Sequence, residues 1–209
     1  NYRLERLRLQ QRGLELDGTA SPEALAGIEG ERAALQERFG VLQQQLDAAL
    51  ARVGLDKAVR NKKLSVALVD ITDLDEPRVA SANGNRMIYA ASLPKIAILL
   101  GAFVRIEEGS MDLDSGTRES LTQMIRVSSN REATRMLNRV GKERLLGILQ
   151  SDRFDLYDPD TNGGLWVGKE YGKSPAFKRD PLHNLSHGAT AMQTARFYYL
   201  LETGQLVDN

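Results

Sequence analysis

The sequence predicts an α/β sandwich, an antiparallel sheet beside a helical lobe, preceded by a helical coiled-coil hairpin. Three observations carry that expectation. Residues 1–55 are rich in Leu, Gln, Glu and Arg and nearly free of strand formers. From Leu64 onward short alternating, β-branched segments appear. They are followed by a helix that is apolar on nearly every side, and then by further helical stretches.

In chain order, Leu4, Leu7 and Leu14 form a short apolar seam before an Asp17-Gly18 turn. Ser21-Pro22-Glu23 then supplies an N-cap, a proline at the first helical position and an early acid. Leu35, Phe39, Leu42, Leu46, Ala49 and Val53 recur at alternating steps of four and three, a heptad seam. Leu25 and Ile28 extend it backwards, with Arg32 as an interruption. The spacing predicts an antiparallel hairpin whose second arm, at 1.5 Å per residue, reaches roughly 50 Å. Such an arm serves either to dimerise or dock a partner protein, to space the chain from an anchor, or to pack on its own domain.

Leu64 to Ile71 alternates and reads as a strand, with Arg78 to Ala82 as its partner and Asn83-Gly84 as a turn or bulge. Pro94 to Ile106 carries Ile96, Ile98, Leu99, Leu100, Phe103 and Val104, so it should be the buried core helix, ended by Gly109. Helices are expected at about 118–127, 131–140, 142–150 and 189–203, with Gly141 and Gly204 at C-cap positions. Ser151 to Leu185 is long, polar and aromatic, and a connection of that length is usually functional. The expected domains are residues 1–55 and 62–209.

Composition narrows the function. Lys+Arg and Asp+Glu are both 28, so there is no basic excess for binding nucleic acid. There is no cysteine, hence no disulfide and no thiolate chemistry. His183 and His187 are the only histidines, and His183-Asn-Leu-Ser-His187 lacks the glutamate of a zinc-hydrolase helix. No metal and no cofactor is therefore expected. No apolar run approaches the ~20 residues of a membrane span. No signal peptide is seen, so any targeting segment is expected outside these residues.

The chemistry lies in Ser92-Leu-Pro-Lys95 and Ser128-Ser129-Asn130. A serine and a lysine one helical turn apart share a face and can share a proton. Ser92 stands where an extended segment becomes the core helix, near backbone N–H donors and the positive end of the dipole. Lys95 opens an otherwise oily helix, and partial burial there would lower its pKa. Either hydroxyl segment could instead be a helix N-cap.

The order and context of these motifs resemble the penicillin-recognising serine hydrolases, the class A β-lactamases and D,D-peptidases, whose motif set is S-x-x-K, S-D-N and K-T-G. The resemblance covers most of residues 64–209, including His187-Gly-Ala-Thr-Ala-Met before the last helix. It implies the serine β-lactamase fold, with Ser92 acylated, Ser128 passing a proton to the leaving nitrogen, and Asn130 holding Lys95 and the substrate amide. It also implies a deacylating glutamate in the long loop, for which Glu170 is the candidate and Asp180 a lesser one. The substrate would be a β-lactam or a D-Ala-type peptidoglycan amide, met in a periplasmic or exported setting.

Three departures qualify the resemblance. Ser129 replaces an aspartate that normally braces the loop. Ser92 and Ser128 are only 36 positions apart, which trims the helical lobe. No Lys-Thr-Gly follows Ser128, and the C-terminal strands that would carry it are expected to be missing. Three readings follow: a β-lactamase-like hydrolase, a peptidoglycan peptidase or penicillin-binding protein without β-lactamase turnover, and a non-catalytic scaffold that works through its coiled coil.

Overall fold

Ser21 caps the first helix: its hydroxyl accepts the Ala24 N–H at 3.1 Å, and α1 runs Pro22–Arg52 with proline in its first turn. The computed structural model describes residues 21–207 apart from Asp75 and, in α1, the side chains of residues 32 and 35–39. The first arm of the expected hairpin, with its Leu4–Leu7–Leu14 seam, lies outside the described residues, as do the side chains of Leu35 and Phe39. At 31 residues α1 is close to the expected length. The described fold mixes helices with antiparallel sheet, an α/β class. It divides into two compact units, residues 1–82 and 83–209.

The first unit continues with a short α2 (Asp56–Arg60) and an antiparallel pair, β1 (Val66–Asp70) and β2 (Arg78–Ala82). Val66 lies opposite Ala82 and Asp70 opposite Arg78, whose guanidinium donates to the Asp70 carboxylate. Leu42, Leu46 and Leu50 of α1 are buried against Ala80 and Ala82, with Val59, Leu64 and Val66 at the margin. Gln43 adds a polar tie by accepting the Ser81 N–H at 2.9 Å. From Leu42 onward, then, α1 packs on its own strands. The inward face follows steps of four, so Leu50 takes the place expected for Ala49 and Val53. Val53 itself is 62 % exposed, because the helix ends at Arg52. With this packing the first compact unit runs to Ala82.

The second unit is built around α3 (Lys95–Glu107), in which Ile96, Ala97, Ile98, Leu100, Gly101, Ala102 and Val104 are all buried. Each fully buried branched side chain contributes about 1.5–3 kcal/mol of transfer free energy. Packed in the same core are α4 (Ser115–Arg126), α5 (Asn130–Val140), α6 (Lys142–Leu149) and α7 (Ala191–Glu202). All four stand close to the expected positions. Gly141 joins α5 to α6 at φ +94°, and Gly204 follows α7 at φ +68°, both in the region that favours glycine. Thr190 caps α7 by accepting the Gln193 N–H at 3.1 Å.

What the sequence did not announce is the sheet of this unit. β3 (Ile88–Tyr89), β6 (Trp166–Val167) and β7 (His187–Ala189) form an antiparallel sheet in the order β3-β7-β6, and β4 (Tyr157–Asp158) pairs with β5 (Gly163–Gly164). Strands of two or three residues are too short to show an alternating pattern. The long segment from Ser151 thus contributes β4, β5 and β6 to these sheets. Gly168 accepts the N–H groups of Phe177 and Lys178, and its own N–H reaches Ser186 at 2.8 Å, closing a loop over 168–186. A Cβ at Gly168 would stand 1.6 Å from the Lys178 carbonyl oxygen, so only glycine fits.

Gly101 sets the distance between α3 and the α5–α6 joint. A Cβ there would meet Val140 at 2.8 Å and Leu145 at 2.9 Å. Gly101→Val should therefore destabilise the chain by about 1–3 kcal/mol through overpacking, read as a lower urea midpoint with an unchanged m-value.

Candidate active site

The turn entering α3 fixes the first pair of candidate side chains. Leu93, Lys95, Ile96 and Ala97 donate backbone bonds three residues back, to Ala90, Ser92, Leu93 and Pro94, so the chain is already coiled at Ser92. Ala91, just before it, has φ +45°, a costly conformation for a residue with a Cβ. α3 carries no side-chain cap, so Ser92 is not an N-cap. It is exposed, one turn from Lys95, and its Oγ accepts from Lys95 Nζ at 3.1 Å.

The second segment resolves in the same way. Ser129 is the N-cap of α5, its hydroxyl accepting the Glu132 N–H at 3.3 Å, while its own N–H reaches Gln123 O at 3.1 Å. That leaves Ser128 and Asn130, on either side, for other work. Ser128 has φ +56°, a second strained non-glycine position in this site. Lys95 Nζ donates to Ser128 Oγ at 2.8 Å, to Ser128 O at 2.6 Å and to Asn130 Oδ1 at 2.8 Å. Ser92, Lys95, Ser128 and Asn130 thus meet at one nitrogen.

Lys95 is 2 % exposed, and burial holds its pKa below the ordinary lysine range. Its four acceptors are all uncharged. An ammonium has three N–H groups for these four acceptors; a neutral amine has two and a lone pair that can take the Ser92 hydroxyl proton. The same nitrogen lies 4.8 Å from the centroid of the Tyr171 ring. Tyr171 in turn stacks on His187 of β7, ring centroids 4.4 Å apart and 14° from parallel. Neither residue was singled out for the site from sequence, since an aromatic and a histidine 16 positions apart carry no spacing signal. Burial, with Lys169 and Lys95 nearby, pushes His187 down to about 4, so it is neutral at pH 7.

Glu170 is not brought to this cluster. Its carboxylate accepts from Lys142 Nζ at 2.6 Å and from Ser174 at 3.4 Å, and the Lys142 bond lowers its pKa. Asp180 is a brace within the loop: 2 % exposed, it accepts the Tyr157 hydroxyl and the backbone N–H groups of Leu182 and His183. His183 lies beside Asp180, and His187 is on a strand, so the two histidines do not share a helix face.

Residues 44–118, about a third of the 209-residue chain, match the model of the β-lactamase enzyme family. That match supports the resemblance to the β-lactamase-like, penicillin-recognising serine hydrolases to which the motifs point. The matched segment contains Ser92 and Lys95, and it begins inside α1, in the half that packs on β2. Among the curated proteins and among the solved structures, nothing matches the chain.

His187 makes stability depend on pH. Unfolded, the imidazole takes up a proton near pH 6.5; folded, only near 4. Between those values protons favour the unfolded chain. The thermal midpoint should fall as pH drops from about 6.5 toward 4, and His187→Gln should flatten that slope.

Proposed function

We propose that the chain is a serine acyl-transfer hydrolase acting through a Ser92 acyl-enzyme on a β-lactam or a D-Ala-type peptidoglycan amide, in a periplasmic or exported setting. The observation that carries this reading is the single amine of Lys95, held 3.1 Å from an exposed serine hydroxyl and 2.8 Å from a second one. Neutral Lys95 takes the Ser92 proton as Ser92 Oγ bonds the substrate carbonyl carbon. The resulting ammonium returns a proton through Ser128 to the leaving nitrogen as the C–N bond breaks. Asn130 keeps the amine aimed at both hydroxyls. Convergence of all four groups supports a working site over a scaffold, because a buried lysine without a task is a destabilising choice.

The fate of the acyl-enzyme favours a penicillin-binding or peptidase type over a β-lactamase. Hydrolysis needs a base aimed at water beside the ester, and the loop carboxylate expected to serve, Glu170, is held by Lys142 and Ser174. The packing of Leu42, Leu46 and Leu50 on the chain's own strands supports an intramolecular role for that part of α1 over a docking one.

Intact-mass spectrometry of the chain after incubation with a fluorescent penicillin, beside Ser92→Ala, tests the assignment. A persistent adduct, absent in the variant, is the expected result. Rapid Ser92-dependent turnover without adduct would favour a β-lactamase. Neither adduct nor turnover would remove β-lactams as ligands. With an adduct in hand, Lys95→Met and Ser128→Ala should each slow acylation by about 10²-fold or more. Acylation should also speed up with rising pH as Lys95 loses its proton, along a limb centred below the ordinary lysine value.

A further inference from the structure

The loop over 168–186 turns two successive side chains to different partners. Glu170 goes to Lys142, and Tyr171 goes to Lys95. The backbone of Tyr171 is clamped at both ends by one hydroxyl: Thr134 Oγ1 accepts its N–H at 3.0 Å and donates to its carbonyl at 3.1 Å. Thr134 stands one turn past Asn130 on α5, so the clamp and the lysine's acceptor belong to one helix. The ring is backed by His187 on β7, the central strand whose neighbour β3 runs toward Ser92. Three segments therefore locate this ring at the lysine.

We propose that Tyr171 is a positioning residue for Lys95, its clamped ring stabilising the ammonium that forms when Lys95 takes the Ser92 proton. The role of that proton rests on the acyl-transfer reading; the geometry does not. The groups facing Lys95 are the hydroxyls of Ser92 and Ser128, the Ser128 carbonyl, the Asn130 amide, and the rings of Tyr171 and His187. Tyr89 on β3 lies near enough to Tyr171, and Lys169 to His187, to act on them electrostatically. None of the four hydrogen-bond acceptors of Lys95 is a carboxylate, so the ring's π-face is the charge-seeking partner at the amine. Among the described residues the buried Tyr171 hydroxyl has no hydrogen-bond partner, so the ring is the part that acts on the amine.

Lysine labelled with ¹³C at Cε, titrated by NMR in the full chain, reads the charge of Lys95 directly, with Lys95→Arg to assign the resonance. Tyr171→Phe should leave the midpoint where the parent chain has it. Tyr171→Leu should lower it by about one pH unit, the scale of a desolvated cation–π contact. Thr134→Val, which keeps the ring and removes only the clamp, should move it the same way by less. An unchanged or raised midpoint in both Tyr171→Leu and Thr134→Val overturns the proposal, and Thr134→Val decides alone if the leucine variant does not fold. Expected shifts in a chain that neither a penicillin nor a D-Ala-D-Ala peptide acylates would uphold the positioning role and sink the acyl-transfer reading. Acylation with unshifted midpoints would do the reverse.

Discussion

A lysine amine sealed from water at the start of the core helix is the constraint on which the second unit is organised. Burying an ammonium without partners is prohibitive, so every segment around Lys95 must bring it an acceptor or a face it can tolerate. Ser92 comes from the turn entering α3, Ser128 and Asn130 from the start of α5, and the Tyr171 ring from the 168–186 loop. The strained backbone at Ala91 and Ser128 is understandable in those terms. Each residue flanks or forms part of the cage, where surrounding packing can hold an unfavourable φ.

The cage also explains a division of labour within Ser128-Ser129-Asn130. A helix N-terminus needs its orphan N–H groups satisfied, and Ser129 does that alone. Its neighbours are then turned to Lys95 by the left-handed conformation of Ser128. Ser129 in the place of the motif's aspartate is therefore compatible with an ordered loop, because a hydroxyl is a sufficient cap. Glu132, 6 % exposed and paired with Arg131 and Arg135, places a buried carboxylate one turn further along instead.

Much of this was legible in the amino-acid order. The cap at Ser21, the β1–β2 pair, the core helix and the helices after it all follow from local signals: a capping residue, a two-residue alternation, an all-round apolar face, a glycine at the helix end. Ser92, Lys95, Ser128 and Asn130 were legible as a set because a helical turn puts the first two together and a motif order relates them to the others. Glu170 was read from its place in a loop, and place in a loop does not say where a side chain points.

Local order alone therefore determined the helices, their caps, the β1–β2 pair and the pairing of Ser92 with Lys95, since those depend on interactions spanning a few residues. Tertiary structure decided what depends on distant segments meeting. It buried the seam of α1 from Leu42 onward on β2, made a sheet from strands too short to show a pattern, assigned Glu170 to Lys142, and set Tyr171 beside Lys95. No periodicity encodes a contact between residues 95 and 171. Only the closing of the 168–186 loop, the clamp by Thr134 and the stacking of His187 bring that ring to the amine.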